Sequence, residues 1–251
     1  MASLLFGQRS DPNIEVLVPY FDIFVDQASV IHWDLDQDAL FVDGVSCIFD
    51  SYFGRANVFE TNTHVKYNNF YIMRNYVESH VDIARYNSDY HGEVPFKLHN
   101  LMVARRVGLK VPYTEAGLGT QREDSILKPV TGGAHVVRGS RSLVPMIVQD
   151  RVIGLNKRLF IIGDDAFCFG LRSDYLDYRD DPEPSLFISE ISDAIVEKTR
   201  RVMFELGLTF GAADFIDETF LEINTMPMFV AFDQVVDGAI ARSICGQLGN
   251  L

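Results

Sequence analysis

Residues 209–224 constrain the fold of this chain most. Residues 209–216 and 219–224 flank Asp217-Glu218, a pattern that reads as two antiparallel strands joined by a tight turn. Side chains two apart share a strand face, so Glu222 and Asn224 point the same way, and pairing through the turn can bring Asp214 onto that face. Two carboxylates and an amide oxygen then converge. All three are hard donors, the kind magnesium takes at about 2.0–2.1 Å beside water and phosphate oxygens. An exposed hairpin with ordinary polar residues has the same spacing, so the segment alone leaves both readings open.

Three further cations stand upstream. Ser125-Ile-Leu-Lys128-Pro129-Val-Thr131-Gly132-Gly133 places Lys128 at the end of a strand, just before a glycine turn whose N–H groups can cradle phosphates. It is not a Walker loop, since GxxxxGK[ST] is absent, and Lys-Pro before Gly-Gly also occurs in plain hairpins. Arg158 opens a strand, where a surface ion pair explains it equally well, and Lys97 sits in a helix among apolar neighbours, where a solvated face does.

The rest of the chain reads as α/β. Ala2–Phe6 is a short apolar run. Asp11 as N-cap with Pro12 in the first helical position starts a helix in which Ile14, Leu17, Val18, Phe21 and Phe24 recur at helical spacing, shortened or kinked at Pro19. Residues 29–33 form the next strand, which gives a β-α-β opening and a small parallel sheet. Asp43-Gly44 turns a hairpin over 40–49, and 62–80 reads as helix. From Pro95, a helix through Leu98, Leu101, Met102 and Arg105 ends at Gly108 before Pro112. Short strands follow at 125–130, 134–137, 144–149, 159–162 and 166–171. Then come an acidic loop at 174–184, a long helix at about 187–206, the 209–224 hairpin and a last helix from near Asp233.

At 251 residues, 47% of them hydrophobic and including 19 Phe and 10 Tyr, the chain has ample core material for two or three subdomains. A net charge of −13 argues against a nucleic-acid partner, although a local basic cleft can still take a small anion. Cys47, Cys168 and Cys245 lie far apart without CxxC spacing, which fits reduced thiols in a cytoplasm better than a zinc site or disulfides. No apolar run reaches membrane-spanning length, and the N-terminus lacks a signal-peptide pattern. No membrane partner is expected.

Taken in order, these segments resemble the ATP-grasp superfamily, most of all the branch holding the ribosomal-protein glutamate ligases and the maturases of graspetide (microviridin-like) peptides. The run from Lys97 through Gly108 and Pro112 to Thr114 resembles that family's lysine, helix, Gly, Pro and Thr pattern, and Ile126-Leu-Lys128-Pro129 its second ATP lysine. Ile147-Val-Gln149-Asp150-Arg-Val152 is similar to the segment linking the two lobes, whose backbone holds adenine. Arg158 with Ile162-Gly163-Asp164 resembles the phosphate-binding arginine and its turn. Asp214 and Leu221-Glu222-Ile-Asn224 resemble the magnesium ligands. The likeness is good over 95–232 and loose over 1–90. The Thr131-Gly-Gly-Ala-His135 loop lacks the longer glycine/serine pattern, and Thr225-Met-Pro-Met-Phe follows Asn224 where relatives commonly have Pro or Ser.

The resemblance implies an ATP-grasp fold of two α+β lobes clasping ATP, 93–148 and 149–251, after a short N-terminal α/β domain, 1–92. It implies ATP and Mg2+ as cofactors. Lys97, Lys128, Thr131, Gly132, Gly133, Gln149, Asp150 and Val152 would bind nucleotide, and Asp214, Glu222 and Asn224 the metal. Arg158 would act on the transferring phosphoryl group, with Arg172 on the substrate carboxylate or acylphosphate unless it only pairs with the acidic loop. The implied activity is an ADP-forming carboxylate–amine or carboxylate–hydroxyl ligation of an amino acid or peptide, a precursor peptide included; a homodimer is left open. Two other functions stay in view: an ATP-grasp kinase or phosphotransferase, and a non-catalytic ATP-binding protein, which would have no chemical need for the full set of ligands.

Overall fold

The computed structural model describes residues 2–56, 64–87, 96–118, 124–130, 137–138, 144–175 and 180–249. The chain divides into two compact units, one made of residues 1–88 and 228–251, the other of residues 89–227.

The first unit is built on a parallel sheet in the order β2-β1-β6-β7, from β1 (Ser3–Gly7), β2 (Ile23–Asp26), β6 (Ser51–Gly54) and β7 (Ala84–Arg85). Every residue of β1 is buried, as a central parallel strand covered on both faces requires. Asp11 caps α1 (Pro12–Glu15) by accepting from the Asn13 N–H at 2.9 Å, with Pro12 in the first turn. The helix expected to run on to Phe24 stops there. Pro19, which has no N–H, falls in a 3-10 turn (Val18–Tyr20), and Phe24 belongs to β2, whose apolar residues fit either period. The β-α-β opening therefore closes on β2. The strand expected over 29–33 as its partner is instead β3 (Ile31–Asp34), part of an antiparallel sheet with β4 (Ala39–Val42) and β5 (Val45–Ser46). The Asp43-Gly44 turn of that hairpin takes the positive φ angles, 50° and 80°, that its sequence favours. The helix read over 62–80 is α2 (His64–Ser79), residues 62–63 lying outside the described ones.

A buried polar chain ties this unit together. Arg55 Nε bonds Asp11 Oδ2 at 2.7 Å, Asn13 Nδ2 donates to Asp11 Oδ1 at 2.8 Å, and Asn13 Oδ1 accepts from the N–H groups of Phe229 (2.7 Å) and Val230 (3.1 Å). Those two residues begin α5 (Val230–Val235). The single terminal helix expected from near Asp233 is two helices, because Gly238 takes φ 81° and restarts the chain as α6 (Ala239–Gln247). Burial raises the pKa of Asp11, but the Arg55 charge and the Asn13 hydrogen bonds outweigh it and hold the carboxyl below 3.8. A carboxylate depressed in the native state stabilises at pH above its unfolded pKa, and that contribution is lost as pH falls through the native one. Asp11→Asn is therefore expected to lower stability at neutral pH and to flatten the acid limb of stability against pH below about 4, read by urea denaturation at a series of pH values.

The second unit carries two antiparallel sheets. The smaller has the order β10-β9-β11-β8, from β8 (Thr114–Gly117), β9 (Ser125–Lys128), β10 (Val137–Arg138) and β11 (Met146–Asp150). The larger has the order β14-β13-β12-β15-β16, from β12 (Asn156–Ile162), β13 (Asp165–Arg172), β14 (Ser185–Ile188), β15 (Phe210–Ile216) and β16 (Thr219–Asn224). Two helices, α3 (Lys97–Arg106) and α4 (Asp193–Glu205), belong to the same core as the larger sheet. Leu101 and Ala104 of α3 and Val202 and Met203 of α4 are buried with Leu159, Ala213, Phe215, Phe220 and Ile223 of the strands. Gly108, at φ 83°, ends α3 as expected. The long helix expected from about 187 starts only at Asp193, after Ser192, because Ser185-Leu-Phe-Ile188 pairs with β13 as an edge strand.

Phe215 and Phe220 are 1% and 0% exposed and pack edge to face, centroids 5.6 Å apart. Phe215→Ala is expected to cost about 3–5 kcal/mol, measured as a fall in the urea midpoint with unchanged slope.

Candidate functional site

Strand register builds one row of charge across the larger sheet. Arg158 on β12 faces Asp214 on β15, and Asp214 faces Glu222 on β16; Ala212 faces Asn224, which puts Asn224 one pleat along on the same face. The register shifts by one residue between Asp214 and Phe215, so Leu221 is the extra residue of a β-bulge. The bulge lets Phe220 stay in the core while Glu222, two residues on, turns to the opposite face; simple alternation forbids that. Asp217, at φ 50°, makes the turn, and its reciprocal bonds with Leu155 (2.8 and 3.0 Å) hold the hairpin beside the start of β12.

Within this row Arg158 clasps Asp214 with both arms, Nε to Oδ1 at 2.7 Å and Nη2 to Oδ2 at 2.9 Å. Asn224 Nδ2 donates to Asp214 Oδ2 at 3.1 Å, which leaves the Asn224 carbonyl as an acceptor. Lys97, only 8% exposed at the first turn of α3, brings Nζ within 3.8 Å of Glu222 Oε2. Two carboxylates thus meet two cations. Among the described residues no three His, Cys, Asp or Glu side chains are gathered as a metal site; the set here is two carboxylates and an amide carbonyl. That donor set fits magnesium completed by water and phosphate oxygens.

The turn after β12, Gly163-Asp164, is held from α4. Arg200 donates Nη1 to Gly163 O at 2.5 Å and Nη2 to Asp164 O at 2.6 Å. No local signal announces this clamp, since Arg200 is one of several charges on an amphipathic helix and its partners are carbonyls 36 and 37 positions away.

On the smaller sheet, Lys128 of β9 faces Ile147 of β11, and Gln149 of β11 faces Thr114 of β8. Lys128 and Gln149 therefore share one sheet face, and both are buried, at 7% and 1% exposure. Asp150 closes β11, its N–H donating to Tyr113 O at 2.9 Å, and Val152 follows in an irregular connector. Thr131, Gly132 and Gly133 lie outside the described residues, as does most of the strand expected at 134–137.

Arg172 stands apart. Phe169 pairs with Arg158, so strand alternation puts Arg172 on the opposite face of the sheet, where its guanidinium lies 4.7 Å from the Phe187 ring centroid. That ring occupies the space a Cβ at Gly170 would need, at 2.5 Å. Arg172 is a packing cation of the β13–β14 edge here, and the geometry does not bring it to the Arg158 row. Cys168 and Cys245 are free thiols that burial pushes up to about 11 and about 12, so they offer no thiolate at neutral pH. Among the described residues no helix is long and apolar enough to cross a membrane.

No family model matches the chain, and no curated protein matches its sequence. Solved structures do. The ATP-grasp ligase PsnB, complexed with a phosphomimetic variant of its minimal precursor, Mg and ADP, superposes with a TM-score of 0.79 at 18% identity, over 98% of this chain and 98% of that one. Macrocyclase MdnC of Microcystis aeruginosa MRC, bound with precursor peptide MdnA, gives 0.73 at 17% identity, over 99% and 100%. The VanG D-Ala:D-Ser ligase of Enterococcus faecalis gives 0.64 at 13%, over 99% and 98%. From these likenesses, and from its α/β first unit and two-sheet α+β second unit, this chain has the ATP-grasp fold.

Proposed function

We propose that this protein is an ADP-forming, ATP-dependent ligase that joins the carboxylate of an amino acid or peptide to an amine or hydroxyl through an acylphosphate. The observation that carries this reading is the Arg158–Asp214–Glu222 row, with Asn224 and Lys97 at its edge. Its neighbours in fold support the choice of chemistry, because PsnB and MdnC are seen with precursor peptides and PsnB with Mg and ADP. A precursor peptide is accordingly the substrate class to try first, with free amino acids second. The cytoplasm, where ATP is plentiful, is the proposed compartment. The proposed division is an N-terminal domain over 1–92, a central lobe over 93–148 and a C-terminal lobe over 149–251, of which residues 228–251 group with the N-terminal unit in the structure.

In this mechanism a carboxylate oxygen attacks the γ-phosphorus of ATP, and ADP leaves. The nucleophile then attacks the acyl carbon, loses a proton, and expels phosphate. The protein's work is positioning and charge stabilisation. Lys97 and Lys128 would bind phosphate oxygens, joined by the N–H groups of the Thr131-Gly132-Gly133 loop. The Gln149–Val152 connector would hold adenine, and Arg158 would stabilise the transferring phosphoryl group. Asp214, Glu222 and the Asn224 carbonyl would hold magnesium, which when bound offsets charge on the phosphate oxygens.

The test is release of phosphate, followed colorimetrically with pooled peptides and amino acids. Release that requires both an added carboxylate and a nucleophile is the expected result. Phosphate release indifferent to both, or transfer to a hydroxyl without ligation, contradicts it. Lys128→Ala is expected to weaken ADP binding about tenfold by calorimetry, one charge-assisted contact being worth roughly 1.4 kcal/mol.

A further inference from the structure

Arg158 and Asp214 grip each other, yet the proposed chemistry needs both for other partners. Asp214 is to hold magnesium and Arg158 the transferring phosphoryl group, so the two bonds between them, 2.7 and 2.9 Å, must open when magnesium and polyphosphate enter. The strand beneath Arg158 is then held by the ladder between β12 and β15. That ladder ends two residues before Arg158, at Asn156 opposite Ile216, and the chain ahead of Asn156 is irregular. A ladder end beside an irregular segment is where a sheet opens most easily.

Asp217 closes that end. In a continuing ladder the next pair, Leu155 and Asp217, would exchange N–H and carbonyl groups. Asp217 has left the strand conformation at φ 50°, and its side chain supplies the missing half. Its N–H donates to Leu155 O at 2.8 Å, while Leu155 N–H donates to Asp217 Oδ1 at 3.0 Å. Gly154 leaves room for the carboxylate, since a Cβ there would lie 2.1 Å from Asp217 Oδ2. The backbone at Gly154 does not take a positive φ, so that contact is what an alanine would meet.

We infer that Asp217 is a positioning residue: by sealing the Leu155 end of β12 it keeps Arg158 in register with the magnesium ligands while Arg158 exchanges Asp214 for the phosphoryl group. The inference rests on the ligase reading above, and Asp217 acts through Leu155 and Arg158 rather than on the nucleotide. A displaced Arg158 costs most where charge grows, in the transition state. The signature is therefore a fall in kcat with nucleotide binding kept.

The experiment measures carboxylate-dependent phosphate release, ADP affinity with Mg2+ and melting temperature for wild type, Asp217→Asn, Asp217→Gly, Gly154→Ala and the Gly154→Ala, Asp217→Gly double variant. Asn and Gly both accept the positive φ, but only Asn keeps an oxygen for Leu155 N–H. Asp217→Gly is expected to lower kcat about tenfold, a misplacement of about 1 Å being worth up to roughly 10^2-fold, with ADP affinity unchanged. Asp217→Asn should stay near wild type. Gly154→Ala should match Asp217→Gly, and should cost nothing further once residue 217 is glycine, because the two changes break one contact. Wild-type kcat in Asp217→Gly, with only a lower melting temperature, overturns the inference and leaves the ligase reading standing. Asp217→Asn as slow as Asp217→Gly overturns it as well, since the bond to Leu155 is then not what matters. Wild type that releases no phosphate with any carboxylate and nucleophile overturns the ligase reading and this inference with it.

Discussion

Alanine at Asp214 or at Glu222 is expected to cut magnesium-dependent turnover by about 10^3-fold, with the fold retained. Each replacement removes one of only two carboxylates in the proposed metal shell, and water cannot restore the charge. The structural cost is smaller. Asp214→Ala deprives Arg158 of two charge-assisted bonds at a half-buried site, worth roughly 1.5–3 kcal/mol, against the 5–15 kcal/mol typical of a folded protein. Glu222→Ala removes only the longer 3.8 Å pairing with Lys97. ADP release and thermal melting measured together separate the two effects. Full activity in both variants would remove the hairpin from the metal site.

Arg158→Ala is expected to be at least as damaging, by about 10^3- to 10^5-fold in kcat, the range seen when an arginine leaves a transferring phosphoryl group. Its effect should fall on kcat more than on KM for ATP, because the charge it answers grows in the transition state. Arg158→Lys should recover little, since a point charge does not reproduce the two-armed geometry that now grips Asp214. The pairing with Asp214 has a further consequence. Arg158 and Lys97 already neutralise both carboxylates, so a lone divalent cation gains little by entering, whereas a cation arriving with polyphosphate brings the anion that draws the two side chains away. Steady-state kinetics on both variants, beside their melting points, checks the split. A fall in stability with unchanged kcat would make Arg158 purely structural.

Local signals make the 210–224 hairpin legible in the sequence: two strand-like runs about Asp217-Glu218, with an Asp at the positive-φ turn and donors two residues apart. The same holds for Gly108 after α3 and for Asp43-Gly44. What was hidden depends on distant partners. The bulge at Leu221 shows only in the pairing with β15, yet it alone explains how Phe220 and Glu222 take opposite faces. Thr-Glu-Ala-Gly has no strand character, and β8 exists because β11 supplies its hydrogen bonds. Ser185-Leu-Phe-Ile continues the apolar pattern of the following helix, which masked β14. Arg172 ends the strand that follows Arg158 in the chain, but the register sends it to the other face and onto Phe187. The hydrogen bond from Gln149 Nε2 to Thr114 Oγ1 is equally invisible, as it joins residues 35 positions apart.

One calorimetric titration tests the magnesium–nucleotide site most directly: ADP into the wild-type protein with and without Mg2+, Mg2+ alone into the same protein, and the first pair repeated on Glu222→Gln. If Asp214, Glu222 and Asn224 form a magnesium–nucleotide site, ADP binds far more tightly with Mg2+ than without, Mg2+ alone binds weakly, and Glu222→Gln loses most of the Mg2+ dependence while keeping weak ADP binding. ADP affinity that is indifferent to Mg2+ in wild type, or equally Mg2+-dependent in Glu222→Gln, would contradict it.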